Sequence, residues 1–250
     1  MTLASKRGWL AVVAVTASTL IGCTQSQVIW QPGPTIGLLN GVYDGTATVA
    51  EIKQYGNQGV GLWDKANGEG LIVDGVFYQI TVDGVAHIKQ DDDIMPWVMI
   101  APFEAERTIQ LPAGITLRNI GDYVDKLLPT VNTFYALRLE GVFRFVQARS
   151  VPEQHKPYPP FSEVEKHEVK FDFENVRGVM VGFRSPPYVT NMSVPNYHVH
   201  FLNEEKTSGG HVLQFITDDV RLVIDRVDEF HTVIPTSKEF EDADLNKIIQ

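Results

Sequence analysis

The sequence contains one cysteine, Cys23, so an intrachain disulfide is impossible. Positive charge is also scarce, because 21 lysines and arginines stand against 31 aspartates and glutamates, a formal net charge of −10 at pH 7. Proteins that bind nucleic acid need basic patches that neutralise phosphates, so nucleic acid is not a predicted partner. Beyond the N-terminal segment, no run is apolar enough to cross a membrane, and no glycine loop ends in the lysine and hydroxyl residue of a phosphate-binding motif.

The N-terminal segment has the composition of an export signal. A basic start precedes an apolar run over residues 9–20, which small residues follow. The segment LIGC (20–23) resembles a bacterial lipobox, in which the chain is cleaved before the cysteine and the thiol is diacylated. We therefore expect residues 1–22 to be a signal peptide and Cys23 to anchor the exported protein to a bacterial membrane, the outer one in a two-membrane cell. The alternative is a plain secretory signal with an unmodified cysteine.

Turn signals divide the rest of the chain into short strands. Residues 23–34 contain glutamine, serine, proline and glycine and are predicted to be a tether. Two Asp-Gly pairs interrupt β-branched and aromatic runs over 71–88, which predicts a three-stranded meander. Apolar residues at helical spacing predict a helix over 117–127. The run 134–150 is predicted to be a hairpin that turns at Glu140-Gly141.

A proline-rich segment that begins at residue 151 cannot continue a strand ladder and is predicted to divide two lobes, residues 35–150 and 151–250. In the second lobe, alternating runs at regular intervals predict a small barrel or sandwich. The tail has a serine at a cap position, acids after it and a lysine near its end, which predicts a short C-terminal helix.

Three of the seven histidines lie within the stretch 197–211. In a strand, His198 and His200 project from one face, because side chains alternate. The polar stretch 203–210 ends in Gly-Gly and predicts a turn that returns His211 beside the pair. Three neutral imidazoles with an open position are a common catalytic zinc arrangement, so the sequence predicts a zinc site. The alternative is that one or two of these histidines are hydrogen-bonded without a metal.

The residues around the histidines resemble the signature of the acetolactate decarboxylase family. The resembling blocks occur in the family order and are NYHVHFL with GGHVLQF, GEGLIVDGVFYQITVDG (68–84), FYALRLEGVFRFVQARSVPEQHKPYPP (134–160) and GVMVGFRSPPYV (178–189). The resemblance runs from about Thr35 to the C-terminus. It implies a two-lobed, strand-rich α/β (α+β) fold, with a mixed β-sheet lobe and a small β-barrel lobe that carries the metal, and it implies a homodimer.

The resemblance also implies a reaction and a set of site residues. His198, His200 and His211 match zinc ligands, and Glu69 and Arg138 match active-site residues. The implied reaction is decarboxylation of 2-acetolactate, a small 2-hydroxy-3-keto acid, to acetoin and carbon dioxide, without an organic cofactor. Arg138 would orient the carboxylate, Glu69 would handle the proton delivered to the enediolate carbon, and zinc would stabilise the enediolate.

Two departures from the family pattern leave other functions open. Leu62 stands where the family usually has threonine. The family also commonly places a further active-site glutamate near the C-terminus, whereas no acid follows Asp244 here. These departures favour a catalytically impaired homologue that binds a small molecule as a surface lipoprotein. A cupin-type metal enzyme is a further alternative, because Glu204 follows His200 by four residues.

Overall fold

The computed structural model describes residues 27–246, which form fourteen β-strands and five short α-helices. The strands are β1 (Val28–Pro32), β2 (Ala47–Thr48), β3 (Gln58–Leu62), β4 (Glu69–Val73), β5 (Val76–Ile80), β6 (Ala86–Ile88), β7 (Ile94–Met95), β8 (Trp97–Ala101), β9 (Arg107–Leu111), β10 (Phe134–Ser150), β11 (Val169–Ser185), β12 (Asn196–Asn203), β13 (Gly209–Val227) and β14 (Glu229–Val233). The helices are α1 (Thr35–Leu39), α2 (Val49–Ile52), α3 (Ile120–Val124), α4 (Phe161–Val164) and α5 (Lys238–Asp242). The predicted signal peptide and Cys23 lie outside the described residues.

Two sheets contain most of the strands. The first sheet has seven strands in the order β14-β1-β8-β3-β4-β5-β6, and it is mixed, because β14 runs parallel to β1 while the other neighbours are antiparallel. The second sheet is antiparallel, in the order β10-β11-β12-β13-β9, and folds back on itself because β10 also pairs with β13. The predicted strand-rich α+β fold is therefore confirmed, whereas the small barrel stays a prediction.

Local turn and cap signals predicted several elements correctly. Strands β4, β5 and β6 form the predicted meander. Asp74 and Gly75 both have positive φ, 52° and 76°, as a two-residue hairpin turn requires. At the other end of the chain, the Ser237 hydroxyl accepts the backbone N–H of Phe240 at 3.3 Å and caps the predicted terminal helix, α5.

The predicted hairpin at Glu140-Gly141 is wrong, because β10 passes through these residues as one strand. Gly141 lies opposite Gly178 of β11 and Val220 of β13. A Cβ atom at Gly141 would lie 2.0 Å from the carbonyl oxygen of Asp219. Glycine at this position therefore permits a close approach of neighbouring strands rather than a turn.

Three predicted boundaries also differ from the structure. Residues 28–32, predicted to belong to the tether, form β1, which pairs with β14 and is buried from Ile29 to Pro32. The predicted boundary at residue 150 does not separate the sheets, because β14 joins the first sheet while β9 and β10 belong to the second. The helix predicted over 117–127 begins only at Ile120, and a single 3-10 turn extends it to Leu127.

A shared apolar core holds the sheets against each other. It contains Tyr78 and Met99 from the first sheet and Val181, Phe183 and Leu202 from the second, all of them buried. Burial of apolar surface is the dominant favourable contribution to the free energy of such packing. The core places the beginning of β4 against β12 and β13. Within residues 27–246, no helix has both the length and the apolar composition that a membrane span needs.

Candidate metal and substrate site

His198, His200 and His211 bring three imidazole nitrogens together. His200 lies opposite His211 in the pairing of β12 with β13, and His198 faces the same side two residues earlier. Nε2 of His198 lies 3.2 Å from Nε2 of His200 and 3.2 Å from Nδ1 of His211. The third separation, from His211 Nδ1 to His200 Nε2, is 3.1 Å. The structure thus brings together the three histidines that were predicted to converge. Gly209 and Gly210, predicted to belong to the turn, instead begin β13 and pair with β12, and the chain turns at residues 204–207.

This donor set fits a divalent metal ion. In a tetrahedral site with metal–nitrogen distances of about 2.0–2.1 Å, the ligand nitrogens lie about 3.3 Å apart, close to the separations seen here. The Nδ1–H of His200 donates to the Gly70 carbonyl oxygen at 2.9 Å, so Nε2 keeps its lone pair for a metal. Imidazole nitrogens suit zinc, copper, iron and nickel, so the donors indicate a class of metal rather than one element.

Burial keeps the three imidazoles neutral. It lowers the pKa of His198 to about 4 and holds the pKa values of His200 and His211 well below the usual range. The neighbouring imidazoles and the Arg149 guanidinium act in the same direction, because a further positive charge would be repelled. Metal ligation requires the neutral form, so all three side chains are ready to bind a cation at neutral pH.

Glu69 lies beside the histidines, at the first position of β4. The preceding Gly68 has a φ of 83°, and a Cβ atom there would lie 2.3 Å from the carbonyl oxygen of Ile80, so the turn that presents Glu69 requires glycine. Glu69 is only 3% exposed, and its Oε2 lies 3.8 Å from His200 Nε2. Burial raises the pKa of Glu69 to about 7, against the opposing charge of Arg149. Near neutral pH this carboxyl group can therefore either hold or release a proton.

Arg138, which was predicted to bind the substrate carboxylate, does not reach this site. Its guanidinium forms a bidentate pair with Asp74, at 2.8 and 3.2 Å, and also pairs with Glu140. Asp74 follows the end of β4 opposite to Glu69, which an extended strand places roughly 17 Å away. The sequence argument was that a mid-strand guanidinium must meet an anion, and here the protein's own carboxylates are those anions. The predicted placement of Arg138 is corrected accordingly.

Arg149, near the other end of β10, supplies the guanidinium of the site. It lies opposite His211 in the pairing of β10 with β13, and its Nε is 3.7 Å from Oε1 of Glu69. Its Nη1 donates to Oε1 of Glu165 at 2.7 Å and to Oε2 of Glu168 at 2.8 Å. Sequence reasoning missed this residue because the assumed hairpin at Gly141 broke the register that aligns β10 with the histidine strand.

These groups surround a cavity of about 250 Å³. Its lining combines the three histidines with two carboxylates, one guanidinium and an apolar wall, and consists of Thr35, Leu38, Leu39, Gly61, Leu62, Glu69, Trp97, Arg149, Phe161, Glu165, Val194, His198, His200 and His211. Leu62, the departure from the family threonine, is one of the apolar residues in this wall. A cavity with convergent polar groups and apolar walls is typical of a small-molecule site.

Several buried polar atoms of the site have no hydrogen-bond partner among residues 27–246. They are Oε1 of Glu69, Nε of Arg149, Nδ1 of His198 and Nε1 of Trp97. Buried polar atoms are almost always paired in folded proteins, so a cluster of unpaired atoms in one place indicates groups that are reserved for a ligand.

The cupin-type alternative does not fit this geometry. Glu204 lies in the turn after β12, where its side chain is 64% exposed and faces Arg177 at 4.0 Å. It lines a different cleft, which it shares with Arg138, so it does not join the histidines as a fourth ligand.

The chain is similar over most of its length to proteins of one family. Residues 29–247 match the family model described as alpha-acetolactate decarboxylase. Proteins of that name from Methanosarcina mazei and Bacillus subtilis are 39% and 37% identical to the chain, over 90% and 87% of its length and 78% and 86% of theirs. The crystal structure of alpha-acetolactate decarboxylase from Bacillus subtilis strain 168 superposes with a TM-score of 0.86 at 36% identity, and covers 88% of this chain and 94% of that one.

Proposed function

Because the chain belongs to the alpha-acetolactate decarboxylase family, we propose that it decarboxylates 2-acetolactate to acetoin and carbon dioxide with the help of a metal ion. The observation that carries the proposal is the cavity in which the histidine cluster, Glu69 and Arg149 converge with unpaired polar atoms. A catalytically impaired binding protein is not favoured, because the histidines, Glu69 and Arg149 supply a metal-binding, an acidic and a cationic group in one cavity, although the sequence has no acid after Asp244 to match the family's C-terminal glutamate.

His198, His200 and His211 would hold the metal ion, which we propose to be zinc. When bound, a divalent cation supplies positive charge that stabilises the electrons left behind as carbon dioxide departs. The imidazoles remain neutral in the protein, so they do not reduce the affinity of the site for the cation by carrying charge themselves.

Arg149 binds and orients the substrate carboxylate. It is the one cationic side chain among the cavity-lining residues, and a guanidinium matches a carboxylate through two parallel hydrogen bonds. Its Nε has no hydrogen-bond partner among the described residues, while Glu165 and Glu168 accept from its Nη1. Fixing the carboxylate in this way sets the orientation of the carbon–carbon bond that breaks.

Glu69 delivers the proton that replaces carbon dioxide. The carbon that loses the carboxylate must accept one proton, and the carboxyl of Glu69, with a pKa of about 7, can supply it near neutral pH. Since this carboxyl approaches from one fixed direction at the start of β4, the product forms with one configuration. The apolar wall, which includes Leu62, Trp97 and Phe161, keeps other proton donors away from that carbon.

Acetoin formation tests the proposed function. The zinc-loaded protein is mixed with racemic 2-acetolactate, and acetoin is measured against the spontaneous decarboxylation in buffer. We expect acetoin to form well above that background, and a His200→Ala variant to fall to it. A wild-type rate equal to the background rejects the enzyme and leaves the binding protein as the alternative.

We further propose that Cys23 is lipidated and that the exported protein is held at a membrane surface. The support is the lipobox-like LIGC and the presence of no second cysteine in the sequence. A Cys23→Ser variant should leave the membrane fraction, and wild-type protein that is wholly soluble after export contradicts this proposal.

The homodimer that the resemblance implies is also proposed here. Sedimentation velocity on protein that lacks residues 1–23 distinguishes a monomer from a dimer. The monomer has the mass of the 27.9 kDa chain minus the removed residues, and the dimer has twice that mass. A single monomeric species at micromolar concentration contradicts the dimer.

A further inference from the structure

Glu165 forms an ion pair with the guanidinium of Arg149, the group that we propose binds the substrate carboxylate. Its Oε1 accepts from Nη1 of Arg149 at 2.7 Å, and its side chain is 44% exposed, whereas the Arg149 side chain is only 9% exposed. Glu165 begins the 3-10 turn that extends α4, and the same segment contributes Phe161 to the cavity wall. The carboxylate of Glu165 therefore lies between a buried cation and the solvent.

Glu168 binds the same nitrogen but is held more firmly. Its Oε2 accepts from Nη1 of Arg149 at 2.8 Å, and its Oε1 pairs with Lys170 at 3.0 Å. Glu168 is mostly buried and does not line the cavity. Glu165, by contrast, lines the cavity and has no ion-pair partner other than Arg149 among residues 27–246. Of the two anions on Nη1, Glu165 is the one that can leave.

The charges around Arg149 favour such a departure. Glu165 and Glu168 already place two carboxylates on Nη1 of this guanidinium, and Glu69 adds a third whenever it is ionised. A substrate carboxylate that arrived while both glutamates stayed on Nη1 would add another negative charge within a few ångströms, and like charges at such distances repel in a partly buried site. Glu69 is buried and cannot move into water without disturbing the core, whereas the half-exposed Glu165 can turn into solvent.

We infer that Glu165 is a displaceable anion that holds Nη1 of Arg149 when no substrate is bound and yields this nitrogen to the substrate carboxylate. This inference rests on the proposed function, because it takes Arg149 as the carboxylate-binding group. Glu165 is thus a specificity-determining residue: a ligand must bring its own carboxylate to replace it, and a neutral ligand of the same shape does not compete for Arg149.

Binding of an unreactive anion tests this role. The probe is 2-hydroxyisobutyrate, which has a carboxylate and a tertiary hydroxyl but no ketone and does not decarboxylate, and its neutral counterpart is 2-hydroxyisobutyramide. Isothermal titration calorimetry measures both ligands on the zinc-loaded wild type and on Glu165→Gln. We expect the dissociation constant of the anion to fall about two- to fivefold in the variant, the range that a partly exposed ion pair is worth. The affinity for the amide should not change.

Glu163→Gln is the matched control. Glu163 lies on α4, its side chain is 54% exposed, and it pairs with Lys166 at 2.7 Å rather than with Arg149. Its replacement removes the same charge from the same segment and should leave the affinity for the anion as in the wild type. The gain from Glu165→Gln should also shrink in high salt, because competition between charges is screened. Glu165→Ala should change the affinity in the same direction, which separates loss of charge from a new amide contact.

The inference is overturned if Glu165→Gln binds the anion no better than the wild type, if the amide gains equally, or if neither protein binds the anion. In turnover, KM for 2-acetolactate should fall while kcat does not rise with it. Failure of the proposed function gives a different result. If the wild type forms no acetoin but Glu165→Gln still binds 2-hydroxyisobutyrate more tightly than the wild type, the decarboxylase is rejected and Glu165 remains a displaceable anion.

Discussion

Nε of Arg149 lies 3.7 Å from Oε1 of Glu69, and neither atom has a hydrogen-bond partner among the described residues. The two side chains are oppositely charged at high pH and both are buried, yet the gap between them exceeds a hydrogen bond. The surrounding structure therefore holds the pair slightly apart. A small ligand can therefore bond to these two atoms, its carboxylate at Nε and a hydroxyl or ketone group at Oε1, because neither atom has a hydrogen bond to lose.

Replacement of Arg149 should reduce activity far more than replacement of Arg138. Arg149→Gln removes a charged hydrogen bond to the substrate, worth about 1.5–3 kcal/mol, so we expect kcat/KM to fall about ten- to a hundredfold while zinc is retained. Arg138→Gln breaks pairs with Asp74 and Glu140 away from the cavity and should change kcat/KM about twofold or less. Steady-state kinetics with zinc analysis decides whether Arg149 or Arg138 binds the substrate carboxylate. A fall in kcat/KM that occurs only in Arg138→Gln would support the role that the sequence predicted for Arg138.

Replacement of His200 should release the metal. His200→Ala leaves two imidazoles and removes the side chain that Gly70 orients, so the stoichiometry of bound zinc should fall from near one to near zero after dialysis. His87→Ala is the control, because His87 lies on β6, away from the histidine cluster, with a half-exposed side chain whose Nε2 is 3.8 Å from Oδ2 of Asp83. Elemental analysis that finds equal zinc in both variants contradicts the assigned ligands.

Glu69→Gln should keep the metal and slow the reaction. The amide cannot donate the proton that the carboxyl holds near neutral pH, and acid–base assistance is typically worth about a hundred- to ten-thousandfold in rate. Water would then protonate the product carbon from either face, so acetoin should lose stereochemical purity. Chiral chromatography of the product measures this, and unchanged purity together with an unchanged rate argues against Glu69 as the proton donor.

Gly68→Ala should destabilise the fold more than Gly75→Ala. Both glycines have positive φ, 83° and 76°, so each replacement incurs the backbone penalty of about 1–2 kcal/mol. A Cβ atom at Gly68 would also lie 2.3 Å from the Ile80 carbonyl oxygen, whereas a Cβ at Gly75 meets no atom within 4 Å. Urea denaturation measures the difference, and equal losses would show that the turn before Glu69 relaxes freely.

Asp225 should make the stability of the protein depend on pH. Burial raises the pKa of this carboxyl to about 6, and the nearby charges of Glu106 and Glu104 act in the same direction. The folded state then binds a proton more tightly than the unfolded chain, whose Asp has a pKa of about 3.9, so this contribution to stability is lost as pH rises from about 4 to about 6. At pH values above 6 the Asp225 carboxyl is ionised in the folded state as well, and the burial of its charge lowers the free energy of unfolding by its full amount.

Asp225→Asn removes that titration, so its stability relative to the wild type should rise between pH 4 and pH 6 and then level off. Asp228→Asn is the control, because Asp228 is exposed and paired with Arg226. Urea denaturation of all three proteins at several pH values gives the comparison. A constant difference between Asp225→Asn and the wild type across this range contradicts the role assigned to Asp225.

The sequence predicted the parts of the site that depend on local geometry. His198 and His200 share a face because strand side chains alternate, and the polar turn after β12 returns His211 on β13, so three ligand positions follow from one short stretch. Glu69 required the family resemblance, because a glutamate between glycines is otherwise typical of a solvated loop. The Asp-Gly turns of the meander were equally local and were predicted correctly.

The guanidinium of the site could not be predicted from local pattern. Whether Arg138 or Arg149 faces the histidines depends on the register of β10 against β13, which is set by pairing between distant residues. Gly141 indicated a turn, because a glycine after a polar residue is a common local turn signal. In the structure it instead leaves room for the backbone of Asp219 on a neighbouring strand. Glu165 was missed for the same reason, because α4 reaches Arg149 only in the folded protein.

The parallel pairing of β1 with β14 has a consequence for how the protein acquires its structure during synthesis. Val28 pairs with Glu229, so β1, the first strand of residues 27–246, waits for a partner about 200 residues later. On its other side, Trp30 of β1 pairs with Ile100 of β8, which is made much earlier than β14. A chain that is still emerging from the ribosome or a translocon can therefore form the meander, but the edge of the first sheet closes only when nearly all of the polypeptide is available, and so does the second sheet, whose strand β13 ends at Val227.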